Sequence, residues 1–164
     1  MAMNKVFIIY HDDELVNNYV EQLLLNNDFL TCASKFSTNK EEENNEIYYM
    51  SPIEVNLAIK NNALLYVVTS NYVSRGITMD DFYNNDICLL HYNEYNIISD
   101  VLFSKYNILT IWIDSKKKLS VNDLEMYEID YVEQRLEHVP NEYFLNDKFE
   151  DINKCIINHI NKAD

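Results

Sequence analysis

Apolar positions along this chain fall alternately into strand-sized runs and into helical spacing. The long apolar runs at 5–10, 63–69, 86–92 and 107–114, and the shorter ones at 29–34, 46–50 and 142–145, predict strands. Helical spacing at 15–26, 95–104, 124–138 and 149–160 predicts amphipathic helices. Strands that alternate with helices favour an α/β fold with a mainly parallel sheet and helices on both faces.

Two further helices are indicated by their first residues. Ser51 is followed by Pro52 and Glu54, which is the pattern of a capping box with proline in the first helical position. This helix is expected to end near 61–62. Thr78, followed by two aspartates at 80–81, predicts a brief capped helix.

The region 29–76 interrupts the alternation with short strands and a polar loop at 38–45. It is therefore predicted to form a small inserted subdomain. The 164 residues contain no internal repeat and no interdomain linker, so we expect a single domain over 1–164.

Composition narrows the class of protein. Hydrophobic residues make up 48% of the chain, which excludes disorder throughout. The apolar runs are too short to cross a membrane, and the first residues lack a leader pattern, so a cytoplasmic protein is expected. Three dispersed cysteines, Cys32, Cys88 and Cys155, form no C-x-x-C pair, and we expect reduced thiols without a zinc site.

The charge balance is strongly acidic, with 27 acidic against 13 basic residues and a net charge of −14. Such a charge opposes encounter with DNA, RNA and anionic lipid. Two interpretations remain. An acidic surface promotes solubility, and it also binds basic partners, in some proteins by imitating the phosphate row of DNA.

The turn after the first strand carries the chain's most informative chemistry. Folds of this class hold phosphate at this turn with glycines and a lysine. Here the turn reads His11, Asp12, Asp13 and Glu14, and the chain's one glycine is Gly76. Metal binding by these four residues is one hypothesis, and capping of the following helix by its acids is the favoured one. His91, at a strand's C-terminal end, is either a site residue or a hydrogen-bonded structural histidine.

Several short segments match a known family in order and spacing. They are 46–55 (Glu-Ile-Tyr-Tyr-Met-Ser-Pro-Ile-Glu-Val), 71–72 (Asn-Tyr), 86–90, 108–113 and 143–147. Segment 46–55 resembles the acid-Tyr-x-Phe-Val-Ser-x-x-Glu-Phe stretch of guanylate kinases, and 71–72 resembles the start of their Gly-Asn-Tyr-Tyr-Gly-Thr loop. Segment 86–90 resembles the family's strand that bears Glu-x-Asp, and 108–113 resembles the apolar strand that follows it. Segment 143–147 resembles the family's Tyr-x-Val-x-Asn-Asp. The resemblance implies a P-loop nucleoside-monophosphate-kinase-like fold, in which 29–76 is the monophosphate-binding-like subdomain and 115–140 a lid-like region.

The positions that carry this family's chemistry differ in the present chain. Residues 10–14 replace the glycine-rich Walker loop, and Thr38, Glu41 and Ile47 stand where the resemblance implies two arginines and a tyrosine. The guanine-reading glutamate falls near Val67, and the Glu-x-Asp near 90–92. Because phosphoryl transfer depends on positive charge around the phosphates, we expect no kinase activity, no nucleotide binding and no cofactor or metal.

The sequence thus favours a catalytically inactive guanylate kinase-like protein that works as a protein-interaction module. Its expected interaction surface comprises Tyr48, Tyr49, Tyr72, Arg75 and Tyr92, because exposed tyrosine and arginine suit protein interfaces. A protein partner is expected, and direct binding of nucleic acid or membrane is not. The alternatives are a divergent nucleoside monophosphate kinase, and an acidic inhibitor of a nucleic-acid-binding protein such as a phage would encode.

Overall fold

The computed structural model describes residues 3–10, 13–98, 100–114, 141–145 and 149–162. The strands are β1 (Asn4–Tyr10), β2 (Lys35–Ser37), β3 (Ile47–Tyr49), β4 (Leu64–Ser70), β5 (Val73–Thr78), β6 (Ile87–His91), β7 (Asn107–Asp114) and β8 (Glu142–Leu145). The helices are α1 (Asp13–Asn26), α2 (Pro52–Lys60), α3 (Met79–Asn84), α4 (Tyr92–Tyr95), α5 (Asp100–Lys105) and α6 (Phe149–Ile160), and a 3-10 turn spans Lys40–Glu42. The helix predicted at 124–138 and the lid-like region 115–140 lie outside the described residues.

Four strands form a parallel sheet in the order β6-β1-β7-β8. Successive side chains of a strand point to opposite faces, and β1 shows the result clearly. Val6 and Ile8 are buried with residues of α1 and α6, while Phe7 and Ile9 are buried with residues of α3, α4 and α5. Both faces of the sheet are therefore covered by helices, which confirms the predicted α/β class.

The remaining four strands form a second sheet in the order β3-β2-β5-β4. Its β2–β3 pair is parallel, and its β2–β5 and β4–β5 pairs are antiparallel. The β4–β5 hairpin turns over two residues, Asn71 and Tyr72, whose φ angles are 52° and 65°. This sheet lies within 35–78, in the part of the chain where a separate small subdomain was expected.

Local capping signals were confirmed. Ser51 accepts a hydrogen bond from the Glu54 amide, and the Glu54 carboxylate accepts one from the Ser51 amide, so the capping box of α2 is complete. Thr78 caps α3 by accepting from the Asp81 amide. The predicted starts of both helices are therefore correct.

Other predictions of secondary structure were wrong. Residues 29–34 form no regular strand: Cys32 makes a single bridge to Ile87, while Leu30 and Ala33 are buried in irregular chain. The apolar residues at 29–34 reflect burial beside β6, and the strand that follows them, β2, begins only at Lys35. The single helix predicted over 95–104 is two short helices, because α4 ends at Tyr95 and α5 begins at Asp100. β5 was not predicted at all.

Candidate functional site

A cleft of about 1210 Å³ lies between the carboxyl ends of the parallel strands and the second sheet. Tyr10 ends β1 and His91 ends β6, and both line the cleft. Lys35, from β2 of the second sheet, lines the opposite wall. Ligands of open α/β folds bind beyond the carboxyl ends of the strands, so this cleft is the candidate site.

An ion pair between Lys35 and Glu94 connects the two walls of the cleft. Lys35 Nζ lies 2.9 Å from Glu94 Oε1 and 3.4 Å from the hydroxyl of Tyr10, and it sits 5.7 Å above the Tyr10 ring. The two side chains are only 22% and 13% exposed. Burial opposes the charge on Lys35, but the Glu94 carboxylate and the Tyr10 hydroxyl outweigh it and raise the pKa of Lys35 above 10.5.

The Glu94 carboxylate also accepts hydrogen bonds from both sides of the cleft, from His91 at the end of β6 and from Tyr66 on β4. The amide of His91 donates to Oε1 at 2.7 Å, and the Tyr66 hydroxyl donates to Oε2. Burial, with the nearby Glu94 carboxylate, raises the pKa of Tyr66 well above its usual value. Both carboxylate oxygens of Glu94 are therefore engaged by protein groups.

A second ion pair is formed by Arg75 and Glu42. The guanidinium Nε and Nη2 donate to the two carboxylate oxygens at 2.8 and 2.6 Å, and Ser37 Oγ donates to Oε1 at 2.6 Å. Such a two-point contact is among the stronger ion-pair geometries. The hydrogen bonds from Arg75 and Ser37 lower the pKa of Glu42, so this residue is a carboxylate at neutral pH.

Glutamates dominate the charge of the cleft. Among the lining residues that the structure describes, the basic ones are Lys35 and Arg75, and the acidic ones are Glu21, Glu41, Glu42, Glu43, Glu46 and Glu94. Each of the two cations is paired with one of these carboxylates. The other glutamates leave the cleft with an excess of negative charge, which repels anionic ligands.

The expected interaction residues occupy different surroundings. Tyr72 is fully exposed at the hairpin tip, and Tyr49 is 38% exposed on β3. The Tyr48 hydroxyl donates to Asp81 at 2.6 Å, Arg75 is held by Glu42, and Tyr92 packs against His91 with 4.5 Å between ring centres. Whether the five residues act together at one interface stays a prediction.

Part of the predicted phosphate turn lies outside the described residues, namely His11 and Asp12. Asp13 is the first residue of α1, and Glu14 is exposed in its first turn. Within the described ranges, no group of three or more histidine, cysteine, aspartate or glutamate side chains is placed to hold a metal ion. His91 accepts a hydrogen bond from the Asn93 amide through Nδ1, at 3.4 Å, and so caps α4.

The described cysteines are free thiols. Burial raises the pKa of Cys32 to about 12 and also raises the pKa of Cys88, which is fully enclosed. Because the thiolate is the reactive form, neither residue is suited to nucleophilic chemistry. No described helix is long and apolar enough to cross a membrane.

Sequence reasoning missed the polar cluster of Tyr10, Lys35, Tyr66 and Glu94. Lys35 and Glu94 are 59 residues apart, on β2 and on α4, so no local spacing pairs them. No local signal marked Lys35, because alternation along β2 places it on the face opposite the buried Phe36, where a lysine is ordinarily solvated.

Comparison with known proteins identifies the fold. No protein-family model matches the chain, and no curated protein matches it in sequence. Among solved structures, the crystal structure of guanylate kinase from Anaplasma phagocytophilum is similar with a TM-score of 0.52, over 96% of this chain and 85% of that one, at 13% sequence identity. The chain therefore has a guanylate kinase-like fold, as the sequence resemblance predicted.

Proposed function

We propose that this chain is a guanylate kinase-like pseudoenzyme that binds another protein and transfers no phosphate. One observation carries the proposal: both cations that line the cleft among the described residues are neutralised by carboxylates, and further glutamates surround them. Phosphoryl transfer is mostly positioning and stabilisation of negative charge by lysine, arginine and magnesium. The cleft instead carries an excess of negative charge.

Release of either cation for a phosphate would be costly. Freeing Lys35 would leave the Glu94 carboxylate, which is 13% exposed, without its counter-charge. Freeing Arg75 would break a two-point ion pair that Ser37 also supports. The turn at 11–14 adds two aspartates and a glutamate and lacks a glycine, so it supports the same conclusion.

Binding of a protein partner is supported by the exposed apolar side chains. Tyr72 and Tyr49 are exposed on the second sheet, and Ile53 and Leu57 are exposed one turn apart on α2. Exposed tyrosine supplies a large contact area at a low cost in side-chain entropy, which is why interfaces are enriched in it. A domain that keeps a nucleotide-enzyme scaffold without its phosphate ligands can work through such a surface.

An assay of phosphoryl transfer tests the inactive half of this proposal. We expect that the chain, incubated with ATP, magnesium and each nucleoside monophosphate, forms diphosphate no faster than buffer. The Lys35→Met variant is the matched control for contaminating kinases, because it removes one of the two cations of the cleft. If the wild-type chain formed diphosphate and the Lys35→Met variant did not, the proposal would be contradicted and the divergent kinase favoured.

The acidic cleft favours one second candidate, an inhibitor that occupies the basic surface of a nucleic-acid-binding protein. Attraction between an acidic cleft and a basic surface weakens steeply with salt, whereas an interface anchored by apolar side chains tolerates it. The rate at which the complex with the natural partner dissociates, measured at low and at high salt, separates the two candidates: salt accelerates dissociation of an ionic interface and leaves that of an apolar one nearly unchanged.

A further inference from the structure

We propose that Tyr72, at the tip of the β4–β5 hairpin, is the anchor of the partner interface. Its complement on the partner is an apolar pocket bordered by lysine or arginine. This inference rests on the proposed function and adds the docking point and the kind of surface that fits it.

The backbone at the hairpin tip is the first observation. Asn71 and Tyr72 both have positive φ, 52° and 65°, as a tight two-residue hairpin requires. Asparagine adopts this conformation readily, and the second position usually holds glycine. Tyrosine at that position strains the turn, so the ring is present at the expense of hairpin stability.

The second observation is that the Tyr72 side chain is buried against none of the residues that the structure describes, so no packing there offsets the strain. Its relative exposure is 101%, as for a side chain surrounded only by solvent. A strained residue that stabilises nothing within its own chain is a candidate for contact outside it. A rigid aromatic ring with a hydroxyl is also the side chain most often found as an interface anchor.

The surroundings of the tip define the border of the partner pocket. Ser74, two residues after Tyr72, exchanges hydrogen bonds of 3.0 and 2.9 Å with Thr38. These bonds, together with the Arg75–Glu42 ion pair, place the turn at 40–43 beside the start of β5. Arg75 neutralises Glu42, and Lys40, Glu41 and Glu43 are exposed, so the free charges of this turn are one positive and two negative. The tip is thus an exposed ring next to an acidic border.

A partner pocket of matching chemistry is apolar at its centre and basic at its edge. Burial of the ring gives affinity, while the charges at the edge speed the encounter. Loss of the ring should therefore accelerate dissociation. Added salt should slow association and leave dissociation nearly unchanged.

Photo-crosslinking followed by affinity measurement tests the inference. The phenylalanine analogue p-benzoylphenylalanine is placed at position 72, and in a second variant at position 49, and each protein is irradiated in a lysate of the native host. The crosslinked peptide is identified by mass spectrometry, and the purified partner is then titrated with wild type, Tyr72→Gly, Tyr72→Phe and Phe29→Ala. Phe29 is the control, because it is an aromatic side chain that is 55% exposed and lies beside the amino end of β6, at the end of the parallel sheet opposite the cleft.

We expect a crosslink from position 72 to a peptide that contains lysine or arginine beside apolar residues. Tyr72→Gly should weaken binding by about 30-fold or more, while Tyr72→Phe and Phe29→Ala stay within about threefold of wild type. A partner that crosslinks only from position 49, or binds Tyr72→Gly as tightly as wild type, overturns this inference and leaves the proposed function standing. A crosslinked peptide without basic residues overturns the assigned pocket. The absence of a crosslinked protein from both positions overturns this inference, whereas the proposed function is tested separately by the assay of phosphoryl transfer.

Discussion

The ring of Phe36 covers Gly76 across the β2–β5 pair. A Cβ atom at residue 76 would lie 2.8 Å from Cζ of Phe36 and 2.2 Å from the backbone oxygen of Tyr66. The φ angle of Gly76 is not positive, so glycine is needed here for space and not for backbone conformation. The chain's one glycine therefore allows the second sheet to close over a phenylalanine.

Gly76→Ala is expected to destabilise the protein by about 3 kcal/mol, because the added methyl overlaps both a ring and a main-chain atom. Urea unfolding measures the loss. The double variant Gly76→Ala, Phe36→Leu should recover only part of it, since the contact with the Tyr66 oxygen remains. A single variant as stable as wild type would show that β2 and β5 are packed differently.

The Lys35–Glu94 pair should contribute to stability through its burial. In Glu94→Gln the lysine keeps its charge and loses its counter-charge, so we expect the free energy of unfolding to fall by about 2–3 kcal/mol. Glu46→Gln is the matched control, because Glu46 is an exposed carboxylate of the same cleft and should change stability by less than about 0.5 kcal/mol. If both variants lowered the free energy of unfolding equally, the Lys35–Glu94 ion pair would contribute no more to stability than an exposed carboxylate does.

The same cluster should make the protein labile at alkaline pH. The folded state raises the pKa of Lys35 above 10.5 and that of Tyr66 above 10.0. Between pH 10 and those raised values the unfolded chain releases protons that the folded chain retains, so stability is full below pH 10 and falls as pH rises. Urea midpoints at about pH 8 and about pH 10.5 should differ less in Tyr66→Phe than in wild type. An equal difference would contradict this origin of the pH dependence.

Tyr72→Gly should stabilise the isolated protein. The substitution removes the strain of a tyrosine backbone held at positive φ, which stabilises the folded state by about 1–2 kcal/mol. Glycine also gives the unfolded chain more conformational freedom, which cancels about 0.5–1 kcal/mol of that gain. The midpoint of urea unfolding should therefore rise slightly. A clear loss of stability would mean that the tyrosine ring supports the hairpin, and the reason to look for its role outside the chain would disappear.

Sequence reasoning succeeded where the determining contacts are local. The continuous apolar run of β1 reports two buried faces directly, and Ser51 and Glu54 cap α2 within one turn of chain. It failed where neighbours are remote. Leu30 and Ala33 look like strand residues because they pack beside β6, and β5 contains Gly76, which the propensity for strands disfavours.

The candidate site was predictable only in outline. The acidic turn and the missing glycines are visible in the sequence, and they already argue against phosphate binding. The pairing of Lys35 with Glu94 depends on how the second sheet meets the parallel sheet, and the pairing of Arg75 with Glu42 depends on how β5 lies beside the turn at 40–42. Pairing over such separations is set by tertiary packing, which the sequence of a single chain does not reveal.

Calorimetric titration of the chain with GMP, and with ATP and magnesium, at low salt tests the central claim most directly. Low salt gives any electrostatic attraction its largest effect, so an absence of binding there is informative. The account predicts no saturable heat for either nucleotide up to about 1 mM. Saturable micromolar binding of GMP or ATP would contradict it, because the paired cations and surplus glutamates of the cleft would then have failed to exclude phosphate.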